Sequence, residues 1–252
     1  MLPILKPYLS PALEQYVRGV SLISETKTPL SQQLERVVTL SEAIAQFSAA
    51  KGVKGKRAQA SVWHMHYTLQ IMPSVLFVHS VLNRKLPFAT EQVSIDTNHW
   101  QLQLPHQGTA MASQPTLEKY DSFIFEHLVP LHRFLVQHFG VPEPVLWSNC
   151  AFRLRQFFPT ILHYTGRRTE TQEDFETLTQ SKFLGQLPNP FYAPRIELSD
   201  KHGPYQLRAS CCFLHKVSNS KLCRDCPKQP HHADARQQQR ALYKTMMATN
   251  DI

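Results

Sequence analysis

Glycine is scarce, with 8 in 252 residues. Gly19, Gly52, Gly55, Gly108, Gly140, Gly166, Gly185 and Gly203 contain no G-x-G-x-x-G, and none opens G-x-x-x-x-G-K-[ST]. Both motifs need glycine where backbone approaches phosphate, so a Rossmann dinucleotide site and a P-loop are excluded. Acidic residues are also few: 19 Asp+Glu face 27 Lys+Arg, a net charge of +8 with 13 histidines in reserve. That balance favours an anionic partner, whether nucleic acid, acidic protein or small molecule, without choosing among them. Long apolar runs are missing too. The most apolar stretch, Ile71 to Leu82, is interrupted by Pro73, Ser74, His79 and Ser80, and a membrane-spanning helix needs about 20 residues. The opening MLPILKPYLSP has no apolar core of a signal peptide. The expectation is a cytoplasmic chain with no integral membrane segment, in a compartment where thiols stay reduced.

What is present is globular: 42% hydrophobic and 18% charged. At about 150 residues per domain the length suggests one large domain or two small ones. A short helix fits residues 9–20. Thr28 followed by Pro29 reads as an N-cap with proline at the first helical position, opening a helix to about Ala50 with Leu34, Val37, Val38, Ile44 and Phe47 at helical spacing. A basic loop at 51–57 follows. A second helix over 58–83 is expected to kink or break at Pro73. Residues 92–104 alternate around Thr97-Asn98 as a β-hairpin. Residues 105–115 read as a polar loop. Helices fit 116–139 and 143–164, ending near Gly140 and Gly166, and a shorter one fits 171–184. Recurrent proline makes 187–204 extended or loop. The fold expected is α+β: a mainly helical body, a small β element and a C-terminal cysteine-rich module. The division expected is 1–110 and 111–252, with the module at 208–228.

Four of the five cysteines, Cys211, Cys212, Cys223 and Cys226, fall in RASCCFLHKVSNSKLCRDCP as C-C-x10-C-x2-C. Clustered thiols in a reducing compartment point to metal. Four thiolates suit tetrahedral zinc or a [2Fe–2S] cluster. Zinc sites usually pair two C-x(2–4)-C knuckles, whereas one pair here is vicinal. Adjacent side chains in extended backbone point apart, which favours the wider two-iron cluster. A zinc knuckle stapling the C-terminus and a vicinal disulfide stay open as alternatives.

The C-C-x10-C-x2-C pattern resembles the FhuF-type ferric-siderophore iron reductases. Arg208 before the pair and Pro227 after the last cysteine fit the same pattern. The resemblance implies a [2Fe–2S] cluster on Cys211, Cys212, Cys223 and Cys226. It further implies a cytosolic enzyme passing one electron to Fe(III) held by a siderophore, hydroxamate in type, and releasing Fe(II). With no nicotinamide or flavin motif, the electron donor expected is a ferredoxin or another low-potential protein, with NAD(P)H less favoured.

Between 201 and 232 the cations are Lys201, Arg208, Lys216, Lys221, Arg224 and Lys228, against Asp225 alone. Arg208, Lys216 and Lys221 are candidate substrate-binding residues on an electropositive rim. A solvated face that offsets thiolate charge explains them equally well. His215 reads as a neighbour of the cluster rather than a ligand, and His231-His232 as an exposed turn. Cys150 reads as a buried, inert thiol. His64 and His66, two apart on a helix, diverge. Trp63, Tyr67 and Trp147 read as core or cleft wall, and Arg153, Arg155, Arg167 and Arg168 as arginines that could reach a chelate. Two rival functions remain: a zinc-stapled nucleic-acid-binding protein and an iron–sulfur sensor. The second shares the cluster but does not turn over chelates. A nucleic-acid partner is not expected, because no basic helix extends beyond the cysteines.

Overall fold

The computed structural model of the chain describes residues 1–9, 14–23, 27–112, 114–164, 166 and 169–248. The fold is α+β and mainly helical, with small sheets and a C-terminal cysteine-rich region.

Its axis is α3, Lys56–Leu76. Trp63, His64, Tyr67, Ile71, Met72 and Val75 are all buried, so this helix is apolar around its circumference and sits at the centre. It runs unbroken through Pro73 and continues into a π-helical turn, Phe77–Val81. Before it come α1, Leu30–Glu35, and α2, Val37–Ala49, split at Arg36 (φ −79°, ψ 62°). The cap of α1 is Pro29, one residue later than the sequence suggests. Its first free N–H groups are satisfied by a loop: Leu30 N donates to Val93 O (2.7 Å) and Ser31 N to Thr90 O (2.9 Å). A tertiary contact has replaced the threonine cap.

The expected helix over 9–20 is different in the described residues. Gln15–Val17 is a 3-10 turn and Val20–Leu22 is strand β1, while residues 10–13 lie outside the described set. β1 runs parallel to β4, Gln101–Leu104, which pairs antiparallel with β3, Ser94–Asp96. The β3–β4 hairpin matches expectation, with Ile95 opposite Leu102. Gly19 lies against α3, where a Cβ would fall 2.2 Å from the Gln70 carbonyl oxygen. The polar loop 105–115 carries β5, Thr109–Ala110, paired with β2, Arg84–Lys85.

The expected helix 116–139 is continuous as α4, Thr116–Asp121, a π-helical stretch Ser122–Leu128, and α5, Val129–Phe139. Gly140 closes it in the left-handed region (φ 66°). α6 is Glu143–Tyr164 and packs along α3. α7, Thr169–Gln180, starts and ends earlier than expected, because Phe183–Leu184 (β6) and Leu187–Pro188 (β7) form a small hairpin instead. A second hairpin, β8 (Glu197–Asp200) and β9 (Gly203–Gln206), leads into the cysteine segment, and α8, Ala233–Ala248, follows it. Among the described residues no helix is long and apolar enough to cross a membrane.

Candidate metal centre

β9 delivers the chain to the module, where Leu207 N donates to Ile196 O and Arg208 N to Asp225 O (3.0 Å). Cys211 and Cys212 are buried. Phe213 then takes a left-handed conformation (φ 62°) and turns the chain into a 3-10 turn, Leu214–Lys216. The following loop docks on the start of the body, with Ser218 N donating to Lys51 O. It crosses at Gly52 (φ +73°), where a Cβ would fall 1.9 Å from Ser218 Oγ. The C-x2-C segment closes as a turn, with Cys226 N on Cys223 O (3.1 Å). Two helices hold the vicinal pair: Ser61 Oγ of α3 donates to Cys212 O (2.8 Å), and Ser148 Oγ of α6 accepts from Ser210 N (3.3 Å).

The thiols influence one another across the motif: Cys212 and Cys223 shift each other's ionisation, and Cys211 acts on Cys226. The vicinal cysteines therefore face different partners, as divergent neighbours should. Four thiols in one segment, two of them vicinal, offer the donor set that a [2Fe–2S] cluster takes. Cys212 is the acidic thiol, lowered to about 6 by the Cys223 thiol and then by Arg208. The Cys223 thiol is pushed up by that of Cys212, and burial raises Cys226 to about 11.

Residues 208–228 match the FhuF 2Fe-2S C-terminal domain. The match covers the module and agrees with the resemblance in the sequence. The cofactor of this FhuF-type domain is a [2Fe–2S] cluster. No curated protein matches the chain.

The surroundings revise several residue readings. Arg208 is buried rather than on a rim. Its guanidinium lies 4.4 Å from the Phe152 ring centroid, and Nη2 donates to Asn149 Oδ1 (3.1 Å). Lys216 and Lys221 are exposed on the loop between the cysteine pairs. His215 is next to the centre, its Nδ1 3.6 Å from Cys211 Sγ. His231 is exposed, but His232 is buried and structural, bridging Tyr205 Oη (2.8 Å) and the Cys226 carbonyl (2.9 Å). That role depends on β9 folding over the module, which local sequence does not encode.

His64 and His66 do diverge. His66 packs on Phe47, and His64 points inward to His132, Nε2 to Nε2 at 3.0 Å. Cys150 Sγ lies 3.9 Å from both inner rings, fully buried, with its thiol pKa raised by that burial. Burial holds His64 at about 3 and His132 well below its usual value. Trp63 and Tyr67 stack in the core. Trp147 is half-buried and donates to Glu143 (2.9 Å). Arg153 is buried, donating to Met65 O (2.9 Å) and Gln156 Oε1 (2.6 Å). Arg167 and Arg168 lie outside the described residues.

Proposed function

We propose that the chain is a cytoplasmic ferric-siderophore reductase, an oxidoreductase acting on metal ions, with its [2Fe–2S] cluster held by Cys211, Cys212, Cys223 and Cys226. The supporting observation is the four-cysteine set inside a segment that matches a [2Fe–2S] domain. Bound there, the cluster supplies one-electron transfer, and Fe(III) to Fe(II) requires one electron. The substrate is iron held by hard oxygen donors, hydroxamates by the resemblance. Fe(II), softer and less charged, is held less well by the same oxygens.

The chain's own groups serve this chemistry by position. Ser61, Ser148 and His232 fix the backbone around the ligands. Arg208, with no carboxylate partner among the described residues, places positive charge beside Cys212 and Cys223. That offsets the negative charge the thiolates accumulate and stabilises the reduced state. Lys216 and Lys221 form an exposed patch suited to an acidic electron-donor protein such as a ferredoxin.

The test is steady-state Fe(II) release from a ferric trihydroxamate, followed with a ferrous chelator and a ferredoxin donor system. The loaded protein is expected to accelerate release over donor alone, and Cys212→Ser to give no acceleration. Equal rates with and without protein would overturn the proposal.

A further inference from the structure

Beside the module, α6 and β9 wall a cavity of ≈ 510 Å³ lined by Phe152, Arg155, Tyr205, Arg208, Arg224 and Asp225 among others. Its arginines differ in their partners. Arg224 is ion-paired, forked onto Asp200 at 2.7 and 2.9 Å and lying 4.2 Å from the Tyr205 ring centroid. Arg208 and Arg155 have no carboxylate within ion-pair distance among the described residues. Arg208 Nε is buried without a hydrogen-bond partner. Arg155 is half-buried and has Arg195 and Arg208 as charged neighbours, with the Asp225 carboxylate the acid acting on it. Burial and those arginines weaken its hold on its proton.

The two unpaired arginines face different things. Arg208 acts on Cys212 and Cys223 and has a reason to be there in the cluster's own negative charge. Arg155 has no cysteine among the groups acting on it. A half-buried guanidinium beside like charge is stabilised when an anion joins it, and planar oxyanions match its fork. Phe152 and Tyr205 give the cavity apolar flanks, as small-molecule sites have.

We infer that this cavity is the chelate site, with Arg155 as its anion-recognising residue, and that it selects ferric chelates of net negative charge, carried by carboxylate or catecholate oxygens, over uncharged trihydroxamates. This rests on the reductase reading and adds to it a preference by chelate charge, trihydroxamates being the slower substrates. Binding needs no covalent step. In turnover one electron leaves the reduced cluster, replenished by a low-potential donor protein, and Fe(III) chelate becomes Fe(II) chelate with no bond to the protein made or broken.

The experiment compares wild type, Arg155→Gln and Arg155→Lys, each with iron and sulfide content verified. Pre-reduced protein is mixed anaerobically with an anionic ferric tricatecholate and, separately, with an uncharged ferric trihydroxamate, and the ratio of second-order constants is read. The ratio is expected to favour the anionic chelate in wild type, to fall about tenfold or more in Arg155→Gln at low salt, and to be restored in part by the charge of Arg155→Lys, which lacks the fork. Gallium(III) tricatecholate, which cannot accept the electron, is titrated in parallel and should bind wild type at least tenfold more tightly than Arg155→Gln. An unchanged ratio and unchanged gallium affinity would overturn the site while leaving the reductase standing. Gallium discrimination without electron transfer from wild type to either iron chelate would keep the site and overturn the reductase. Slower cluster reduction by the donor protein in Arg155→Gln, with the chelate ratio unmoved, would assign the cavity to the donor and overturn the inference.

Discussion

The Cys223 thiol and that of Cys212, eleven residues earlier, shift each other's ionisation, and Cys226, its partner in the C-x2-C turn, is not among the groups acting on Cys223. The consequence is that each iron should take one thiolate from each half of the motif: Cys212 with Cys223, and Cys211 with Cys226. In serine variants that retain cluster, Cys212→Ser and Cys223→Ser should perturb the same iron's Mössbauer doublet, and Cys211→Ser the other. A shared doublet for Cys223→Ser and Cys226→Ser would contradict the pairing.

Cluster content provides a second test. Wild type should carry about two irons and two acid-labile sulfides per chain. Cys223→Ser should hold markedly less of both, the remainder being a serine-ligated cluster. Cys150→Ala, 3.9 Å from two core histidines and in the helical core rather than the module, should keep both and cost on the order of 1 kcal/mol in stability. One zinc and no sulfide in wild type would contradict the site.

The exposed loop cations concern the electron donor. Lys216→Glu with Lys221→Glu should slow reduction by an acidic donor protein and flatten its dependence on ionic strength, since the Debye length shrinks from ~30 Å at 0.01 M to ~8 Å at 0.15 M. The cluster should assemble normally. Stopped-flow traces across a salt series check this, and superimposable slopes for the two proteins would place donor docking elsewhere.

Much of this was legible in the sequence, and the failures share a cause. The hairpin at 94–104 and the helices ending at Gly140 and Tyr164 follow from periodicity and caps in neighbouring residues. The cysteine motif carries its own spacing. β1 was not legible, because three residues become a strand only by lying beside β4. Nor was α1's start, which Val93 and Thr90 supply from a distant loop. Arg208 and His232 looked like surface charge and surface turn, since burial comes from α6 and β9 closing over them. α8, mostly polar with an alternation too weak to stand out, is held by contacts such as Gln239 Nε2 to Pro194 O.

The buried histidines set an acid limit on stability. His64, His79 and His127 are held at about 3, and His132 well below its usual value, in each case mainly by burial. Their folded values lie below the unfolded value near 6.5, so the unfolded chain binds more protons as pH falls. Stability should be flat above about pH 7 and decline below about 6.5, by up to ~1.4 kcal/mol per pH unit for each histidine. Denaturant midpoints between pH 8 and 4.5 measure this, and a flat profile would contradict the neutral core.

Among the described residues one ion pair is fully enclosed: Lys119 Nζ lies 3.1 Å from Asp174, which also accepts from Thr116 Oγ1 at 2.7 Å. Lys119→Met strands the carboxylate and should cost about 3–5 kcal/mol. Adding Asp174→Leu should recover part of that loss, because no buried charge remains. Urea unfolding of the three proteins checks it, and a double variant less stable than the single would contradict the account.

The most direct test of the central claim is a single turnover. The loaded protein is reduced with dithionite, freed of excess, and mixed anaerobically with a ferric siderophore and a ferrous trap. Cluster absorbance should return as the Fe(II) complex forms, one Fe(II) per reduced cluster, with loss of the reduced-cluster EPR signal on the same time course. A cluster that stays reduced for hours beside its ferric chelate, with no Fe(II) formed, would contradict the claim.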